Sequence, residues 1–309
     1  MISVVMLTYN RENLVSRAIE GILSQTYQDF EFIIVDNGSM DRSGQIADEY
    51  AGRDARVRVI HKEKGNIGSG RNAGLDAARG SCIAFIDDDD YTEPGYLEHL
   101  HNLIVEYHAD IAVCGSWREV EGTRQPKYVF DGVFAYSGEE AVCEMLKRER
   151  FNAGMPTKLI ASRLFQGLHY DHSSKYDDIR MTYRVLSRAS SVAVTGIPLY
   201  TCIRHRNNNS AGTTGNEIIP QGQIEEYLDA FRERTVWLSG RFPDKAEFWF
   251  YTELSYVLSM YDKTDVPALR EKLGAMLREN AAAFRDMGRF HTERDRGLLR
   301  KYEGNLICY

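Results

Sequence analysis

Short apolar runs alternate with amphipathic stretches through the first hundred residues of this chain. The apolar runs are rich in β-branched and aromatic residues, which predicts buried strands at 2–8, 30–35, 57–60 and 82–86. Apolar residues at helical spacing predict helices over 11–25, 42–51 and 70–78. Because strand–helix alternation with short connections favours right-handed crossovers, we expect an α/β fold with a mostly parallel sheet flanked by helices.

The pattern is less regular after residue 90. It predicts helices at 94–107, 138–148 and 177–187, strands at 110–117 and 191–194, and a hairpin-like segment over 118–137. A polar stretch at 207–216 interrupts it and marks a boundary or a loop. Helical spacing then predicts helices at 221–239, 244–262, 265–287 and 291–303. We therefore expect two domains, residues 1–214 and a helical region 215–309.

Composition narrows the class of protein. The 309 residues are 43% hydrophobic and 27% charged, which is ordinary for a globular protein with a sizeable core. A net charge of −7 argues against a general nucleic-acid binder. The five cysteines are scattered and include no C-x-x-C pair, so we expect free thiols in a reducing compartment rather than disulfides or a zinc site.

The hydropathy of the chain bears on its location in the cell. No apolar stretch approaches the roughly 18 residues that a membrane-spanning helix needs. The first residues predict a strand and lack the basic segment and long apolar run of a signal peptide. We therefore expect a cytoplasmic protein that is soluble or lies peripherally at the inner face of the membrane.

Four consecutive aspartates, Asp87 to Asp90, follow directly on the predicted strand 82–86. Four like charges at a strand end repel one another, and they become tolerable when a hard cation shares them. Carboxylate oxygens are the natural ligands of Mg²⁺ and Mn²⁺. The cluster therefore predicts a divalent-cation site, and a solvated acidic loop is the alternative.

Polar residues follow two other predicted strands in the same way. Tyr9 and Asn10 end the first strand, and Asp36 and Asn37 end the second. In parallel sheets, ligands bind outside the carboxyl ends of the strands. We therefore expect these residues and the aspartate cluster to meet at one edge of the sheet.

Five motifs follow one another through the first 210 or so residues. They are Leu7-Thr8-Tyr9-Asn10-Arg11, Val35-Asp36-Asn37-Gly38-Ser39-Met40-Asp41, Asn66-Ile67-Gly68-Ser69-Gly70-Arg71-Asn72-Ala73-Gly74, Phe85-Ile86-Asp87-Asp88-Asp89-Asp90 and Lys175-Tyr176-Asp177-Asp178. In this order and spacing they resemble the motifs of the family 2 inverting glycosyltransferases. The resemblance implies a GT-A (Rossmann-like) fold and a nucleotide-sugar donor. It does not extend to the last 95 or so residues.

The first two motifs would hold the nucleoside of the donor. Thr8, Tyr9 and Asn10 are candidates from the first motif, and the Tyr9 ring could stack on the base, which contributes about 1–3 kcal/mol in nucleic-acid systems. The alternative for Tyr9 is a half-buried residue at a strand end.

Asp36 and Asn37 could read the base edge. Many family members have an acidic residue at the second position, and here the Asn37 amide could accept from uracil N3–H and donate to O4. Both residues could equally form a tight turn.

The third motif resembles the loop with which the family grips its donor. Its candidates are Asn66, Gly68, Arg71 and Asn72, because glycine allows close backbone approach and arginine suits phosphate. For Arg71, an internal ion pair with the aspartate cluster is an equal alternative.

The resemblance also assigns the carboxylates. Asp87 would contact the ribose, Asp89 would coordinate Mn²⁺ or Mg²⁺ at the diphosphate, and Asp88 would lie between them. Asp178 would be the base that takes the proton from the acceptor hydroxyl. Asp177 precedes it where the family carries Glu, and it could instead cap the helix that begins there.

Two segments towards the C-terminus each allow two roles. Arg204, His205 and Arg206 resemble residues that close over the diphosphate, with His205 as the candidate, and a solvated basic loop is the alternative. Residues 285–309 combine a slight basic surplus with aromatic and aliphatic side chains. They could dock on an anionic membrane surface or form a homodimer interface.

Together these features predict an inverting glycosyltransferase. It would move a sugar from a nucleotide-diphosphate sugar, in the first instance a UDP-sugar, to a glycan or lipid-linked acceptor, for example in surface polysaccharide synthesis. A nucleotidyltransferase is one alternative, but the residues after the first strand lack the glycine-rich basic loop that it would need. An inactive transferase-like scaffold is the other, and the retention of Asp87, Asp89 and Asp178 argues against it.

Overall fold

The computed structural model describes residues 1–172, 177–204 and 218–302. Contacts divide the chain into two compact units, Met1–His205 and Arg206–Tyr309. The first unit is an α/β sandwich, and the described part of the second is helical. The α/β class with a mostly parallel sheet and a helical C-terminal region, as predicted from the sequence, is confirmed.

In the part of the first unit that the structure describes, ten strands form a sheet with the order β3-β2-β1-β4-β9-β6-β10-β5, and β7 and β8 pair with β6 and β10. The strands are β1 (Ile2–Thr8), β2 (Phe30–Asp36), β3 (Val57–His61), β4 (Cys82–Asp87), β5 (Tyr91–Thr92), β6 (Ile111–Val120), β7 (Thr123–Lys127), β8 (Val133–Tyr136), β9 (Lys158–Ala161) and β10 (Val192–Arg204). Strands β1 to β4 pair in parallel, as do β6 and β10, whereas β9 runs antiparallel between β4 and β6.

Six α-helices accompany this sheet within the described residues of the first unit. They are α1 (Val15–Leu23), α2 (Ser43–Ala51), α3 (Ile67–Ala77), α4 (Tyr96–Glu106), α5 (Gly138–Lys147) and α6 (Asp177–Leu186), with a 3₁₀ turn at Ser162–Phe165. Helix α3 begins at Asn66, whose side-chain oxygen accepts a hydrogen bond from the Ser69 N–H at 2.8 Å. Helix α5 begins with a capping box between Ser137 and Glu140. Such caps satisfy N–H groups that the first helical turn leaves unpaired.

The core lies between the sheet and its helices. Val4 and Met6 of β1, Phe32 and Ile34 of β2 and Ile19 of α1 are all fully buried. Burial of a side chain of this size stabilises the fold by about 1.5–3 kcal/mol. This layer fixes where the strands end, and therefore where the polar residues after them lie.

The register brings the strand ends together. Thr8 is paired with Asp36, and Leu7 with Asp87. The carboxyl ends of β1, β2 and β4 therefore lie side by side at one edge of the sheet, as the alternation of strands and helices predicts. We call the residues at and directly after these three strand ends the polar edge; they are residues 8–10, 36–37 and 87–90.

The second unit contains five helices in the residues that the structure describes. They are α7 (Gln221–Arg241), α8 (Ala246–Lys263), α9 (Pro267–Glu279), α10 (Ala281–Asp286) and α11 (Glu293–Lys301). The prediction of one continuous helix over 265–287 is wrong, because it breaks at Asn280. The Asn280 side-chain amide donates to the Met276 carbonyl at 2.8 Å, beside the Asn280 backbone N–H that donates to the same carbonyl at 3.3 Å, so the side chain bonds locally to the end of α9.

Candidate active site

The turn after β1 forms the first part of the polar edge. Thr8 is fully buried, and the partly exposed Tyr9 ring lies 4.6 Å from the Lys64 ammonium. Asn10 adopts a left-handed backbone conformation with φ of 52°, and its side-chain oxygen accepts from the Met40 N–H at 2.9 Å. Asn10 thus ties the turn after β1 to the turn after β2.

Asp36 and Asn37 are buried and already bonded within the protein. Asp36 accepts from the Ser39 N–H at 3.0 Å and lies 3.1 Å from His61 Nδ1. The Asn37 amide donates to the Gly65 carbonyl at 2.8 Å and accepts from Lys62 Nζ at 2.9 Å. Asp36 thus bonds locally to the residues that follow it, whereas Asn37 bonds to the loop after β3; base reading by either residue stays a prediction.

His61 is a neighbour of this site that the sequence did not indicate. Its Nε2 lies 3.0 Å from an Asp48 oxygen, and its Nδ1 faces Asp36. Hydrogen bonds to Asp48, and then to Asp36, raise the pKa of His61. A lone histidine at the end of a short strand carries no signal in sequence, because the pairing depends on residues 13 and 25 positions away.

The third motif mainly fastens a distant segment of the same chain. The Asn66 amide donates to the Asp171 carbonyl at 3.1 Å. Asn72 exchanges two hydrogen bonds with the Tyr170 backbone, at 2.9 and 2.8 Å. A Cβ at Gly68 would lie only 2.8 Å from the Asp171 carbonyl oxygen, so this approach requires glycine. These contacts position the start of α3 and hold residues 170–171 against it.

Arg71 has a different role from its neighbours in this motif. Its buried guanidinium donates to Asp177 at 2.9 Å, pairs closely with Asp178, and lies 3.5 Å from Asp87. The ion-pair alternative predicted for Arg71 is therefore present, and it extends to two residues of α6. Arg71 joins the end of β4 to the first turn of α6.

The four aspartates point to different partners. Asp90 accepts from the Ile203 N–H at 2.8 Å, and the Asp87 N–H donates to the Tyr200 hydroxyl at 3.1 Å. Arg11 lies 3.7 Å from Asp88 and 4.0 Å from Asp89.

Burial opposes the negative charge of Asp88 and Asp90. It raises the pKa of Asp88 to about 7 and holds that of Asp90 well above its usual range. The edge therefore resists holding several negative charges at once, and a cation would relieve that cost.

A metal ion fits the chemistry of this edge as a partner of the substrate. In the described ranges, no group of three His, Cys, Asp or Glu side chains converges into a complete cation site. Asp88 and Asp89 nevertheless lie side by side, with side chains 12% and 11% exposed. Mg²⁺ is commonly held by one or two carboxylates plus the phosphates of a nucleotide, and this edge can supply that many.

Asp178 lies at the start of α6, beside the end of β4. Its side chain is 25% exposed, one oxygen pairs with Arg71, and the other accepts from the Met155 N–H at 3.2 Å. Its neighbour Asp177 is buried, which raises the pKa of Asp177 to about 6 against the opposing effect of Arg71. Met155 is a contact that the sequence did not indicate, since a backbone donor has no sequence signature.

The chain resembles known proteins in sequence. Residues 3–174, more than half of the chain, match the model of glycosyl transferase family 2. The chain belongs to this family. Glycosyltransferase GlyG of Streptococcus pneumoniae is 33% identical over 209 residues, which cover 65% of this chain and 69% of GlyG. Family 2 membership makes the chain a glycosyltransferase.

Solved structures show the same fold for this family 2 chain. S. aureus TarS, in complex with UDP-GlcNAc, superposes with a TM-score of 0.69 at 17% identity, covering 97% of this chain and 86% of that one. The mannosyltransferase PcManGT of Pyrobaculum calidifontis, in complex with GDP-Man and Mn²⁺, has a TM-score of 0.55 at 13% identity. It covers 97% of this chain, and 78% of PcManGT is covered in turn.

Several predicted site residues of the family 2 chain lie outside the described residues. These are His205, with Arg206, and the Lys175-Tyr176 pair of the fifth motif. Their predicted roles are untested. Arg204 ends β10, next to Ile203, whose N–H holds Asp90.

In the described part of 285–309, charged side chains form ion pairs and hydrogen bonds within the second unit. Arg289 pairs with Glu247, Arg294 donates to the Ser259 hydroxyl, and Lys301 lies 2.6 Å from Asp262. Phe284 and Leu299 are buried. None of the described helices combines the length and apolarity that crossing a membrane requires. These contacts weaken the basis for membrane docking through this segment, which stays a prediction.

Proposed function

We propose that this chain is an inverting glycosyltransferase that uses a divalent cation and a UDP-sugar, and that its acceptor is a hydroxyl of a glycan or a lipid-linked glycan. One observation supports this more than any other. Arg71 links Asp87, at the end of β4, to Asp178, at the start of α6. The carboxylate proposed to contact the donor and the candidate base therefore share one buried guanidinium.

The donor would lie along the polar edge. Tyr9 would cover the base, and Asp36 with Asn37 would border it. Asp87 would contact the ribose, Asp89 would coordinate the cation at the diphosphate, and Asp88 would lie between them. That TarS and PcManGT have been solved with UDP-GlcNAc and with GDP-Man and Mn²⁺ supports a nucleotide sugar and a divalent cation as the ligands of this chain.

The transfer itself would be a single displacement with inversion. The acceptor oxygen forms a bond to the anomeric carbon while the bond from that carbon to the diphosphate oxygen breaks. Asp178 takes the acceptor proton, and the electron pair of the broken bond leaves with the nucleoside diphosphate. A cation held by Asp89 would neutralise charge on that leaving group.

Asp178 has the surroundings that this task needs. Its two oxygens have separate partners, Arg71 and the Met155 N–H, so the carboxylate is fixed in direction. It stays partly exposed, which leaves room for an acceptor hydroxyl. General-base catalysis by a positioned group contributes about 10²–10⁴-fold in rate.

Screening nucleotide sugars by thermal unfolding tests the proposal. A ligand that binds only the native state stabilises it by about 2.7 kcal/mol at a hundred times its Kd. We expect UDP-sugars to raise the Tm in the presence of Mn²⁺, and Asp89→Asn to abolish the increase. Asp76→Asn is the matched control, since Asp76 lies at the far end of α3 and pairs with His169. Stabilisation that is equal without metal, or unchanged in Asp89→Asn, would contradict the metal assignment.

A further inference from the structure

A buried lysine binds the segment of chain that precedes Met155, whose N–H contacts the candidate base. Lys158 begins β9, and its residue surface is 1% exposed. Its ammonium donates to the Asn152 carbonyl at 3.0 Å and to the Gly154 carbonyl. Burial lowers the pKa of Lys158 to about 8. Because desolvating an ammonium is costly, an aliphatic side chain beside Leu159 and Ile160 would serve packing alone at least as well.

The carbonyls that Lys158 binds belong to a short turn that is held from two sides. The hydroxyl of Thr182, on α6, donates to the Ala153 carbonyl. Three successive carbonyls, of residues 152, 153 and 154, therefore all have side-chain donors. Fixing three consecutive peptide units also fixes the direction of the next N–H, because each peptide is planar.

That next N–H belongs to Met155, and it donates to Asp178 Oδ2 at 3.2 Å. We propose that Lys158 is a positioning residue for the base: it orients the turn at 152–154 so that the Met155 N–H holds one oxygen of Asp178 while Arg71 holds the other. The proposal rests on the assignment of Asp178 as the base. It gives Lys158 a role in turnover without any contact with the donor.

Kinetics would separate this role from donor binding. In Lys158→Met the turn loses its ammonium donor, and we expect kcat to fall by about 10–100-fold, the scale of a small misplacement of a catalytic group. The KM for the donor should change by less than about threefold, since the polar edge is untouched. Thr182→Val removes one of the three carbonyl bonds, so its loss of kcat should be smaller.

A double-mutant cycle tests whether Lys158 acts through Asp178. If it does, Lys158→Met should lower kcat in the wild-type background but have little further effect in Asp178→Asn. Independent multiplication of the two losses would overturn the proposal. Lys147→Met, at a surface lysine paired with Glu144, is the control and should leave kcat unchanged.

A second readout needs no substrate. The chain has nine methionines, so selective ¹⁵N-methionine labelling gives a simple amide spectrum in which Met155→Leu identifies the Met155 resonance. We expect Asp178→Asn alone to shift the Met155 resonance. Lys158→Met should also shift it, and in the Lys158→Met background Asp178→Asn should cause no further shift. The other methionine resonances report whether each variant is folded, and Thr182→Val should show a weaker form of the same change.

The two readouts distinguish the two proposals. A Met155 resonance that stays in place in folded Lys158→Met, and still responds to Asp178→Asn, would overturn the positioning role. Full turnover by Asp178→Asn would instead overturn the base assignment, whatever the resonance does.

Discussion

The two units of the chain both bury carboxylates, and they surround them differently. In the second unit, Asp295 is 1% exposed and accepts from the Tyr251 hydroxyl at 2.6 Å, the Ser255 hydroxyl at 2.7 Å and the Thr292 hydroxyl at 2.8 Å. In the first unit, Asp88 lies between two other aspartates, 3.7 Å from Arg11, and burial raises its pKa to about 7.

We propose that this difference separates carboxylates that serve the fold from carboxylates that serve the reaction. A buried carboxylate with several donors is stabilised by them and serves the fold. Carboxylates crowded together, whose burial opposes their charge, reduce stability and become favourable when a ligand or cation binds. The second unit contains the first kind, and the polar edge with the start of α6 contains the second.

The largest expected effect concerns Asp178, on the functional side of the comparison. Asp178→Asn keeps the shape of the side chain but cannot take the acceptor proton, so kcat should fall by about 10³-fold. Binding of UDP with Mn²⁺ should stay within about threefold, measured by calorimetry. Asp76→Asn is the control, and a normal kcat for Asp178→Asn would show that another group is the base.

Asp295→Ala should have the largest effect on the structural side. It leaves the hydroxyls of Tyr251, Ser255 and Thr292 without their acceptor, at a cost of about 4 kcal/mol for several unsatisfied donors. Urea unfolding measures this loss. Tyr251→Phe removes one donor only and should cost about 1 kcal/mol. A loss of UDP affinity in folded Asp295→Ala would break the comparison, because it would give Asp295 a role in ligand binding.

Asp177 should make the stability of the fold depend on pH. Its folded pKa is about 6 against an ordinary 3.8, so its protonation stabilises the fold below about pH 4, and this stabilisation is lost as the pH rises through 6. A shift of this size is worth up to about 3 kcal/mol. We therefore expect the free energy of unfolding of metal-free Asp177→Asn, relative to that of the wild type, to be higher at pH 7.5 than at pH 4.5. A difference between the two proteins that is the same at both pH values would contradict this assignment.

The smallest expected effect concerns Tyr9. If its ring stacks on the base of the donor, Tyr9→Ala should weaken UDP binding by about 1–2 kcal/mol. Tyr9→Phe retains the ring and should bind as the wild type does. Equal affinity of all three proteins in a UDP titration would favour the other interpretation, in which Tyr9 is a residue of the strand end and no more.

Sequence predicted the parts of the site that local patterns determine. Periodicity located the ends of β1, β2 and β4, and the aspartate run stood out because acidic residues after a buried strand need a reason. The register then places Thr8 beside Asp36 and Leu7 beside Asp87. The family resemblance added Asp178, which no periodicity indicates.

Long-range hydrogen bonds account for what sequence did not predict. The amides of Asn66 and Asn72 suggest ligand binding by type, yet they bond to backbone about a hundred positions away. The antiparallel insertion of β9 between β4 and β6 is equally non-local. Lys158 begins this inserted strand, and Met155, which contacts Asp178, lies just before it. Neither the burial of the lysine nor the Met155 contact could therefore be predicted from local pattern.

The central claim is that the polar edge holds a divalent cation together with the diphosphate of the donor. The most direct measurement is a crystal structure with Mn²⁺ and UDP, in which anomalous scattering locates the metal. We expect one manganese within coordination distance of the Asp89 carboxylate and of the UDP phosphates, with the uracil ring beside Tyr9. Manganese elsewhere, or UDP bound with Asp89 turned away from its phosphates, would contradict the account.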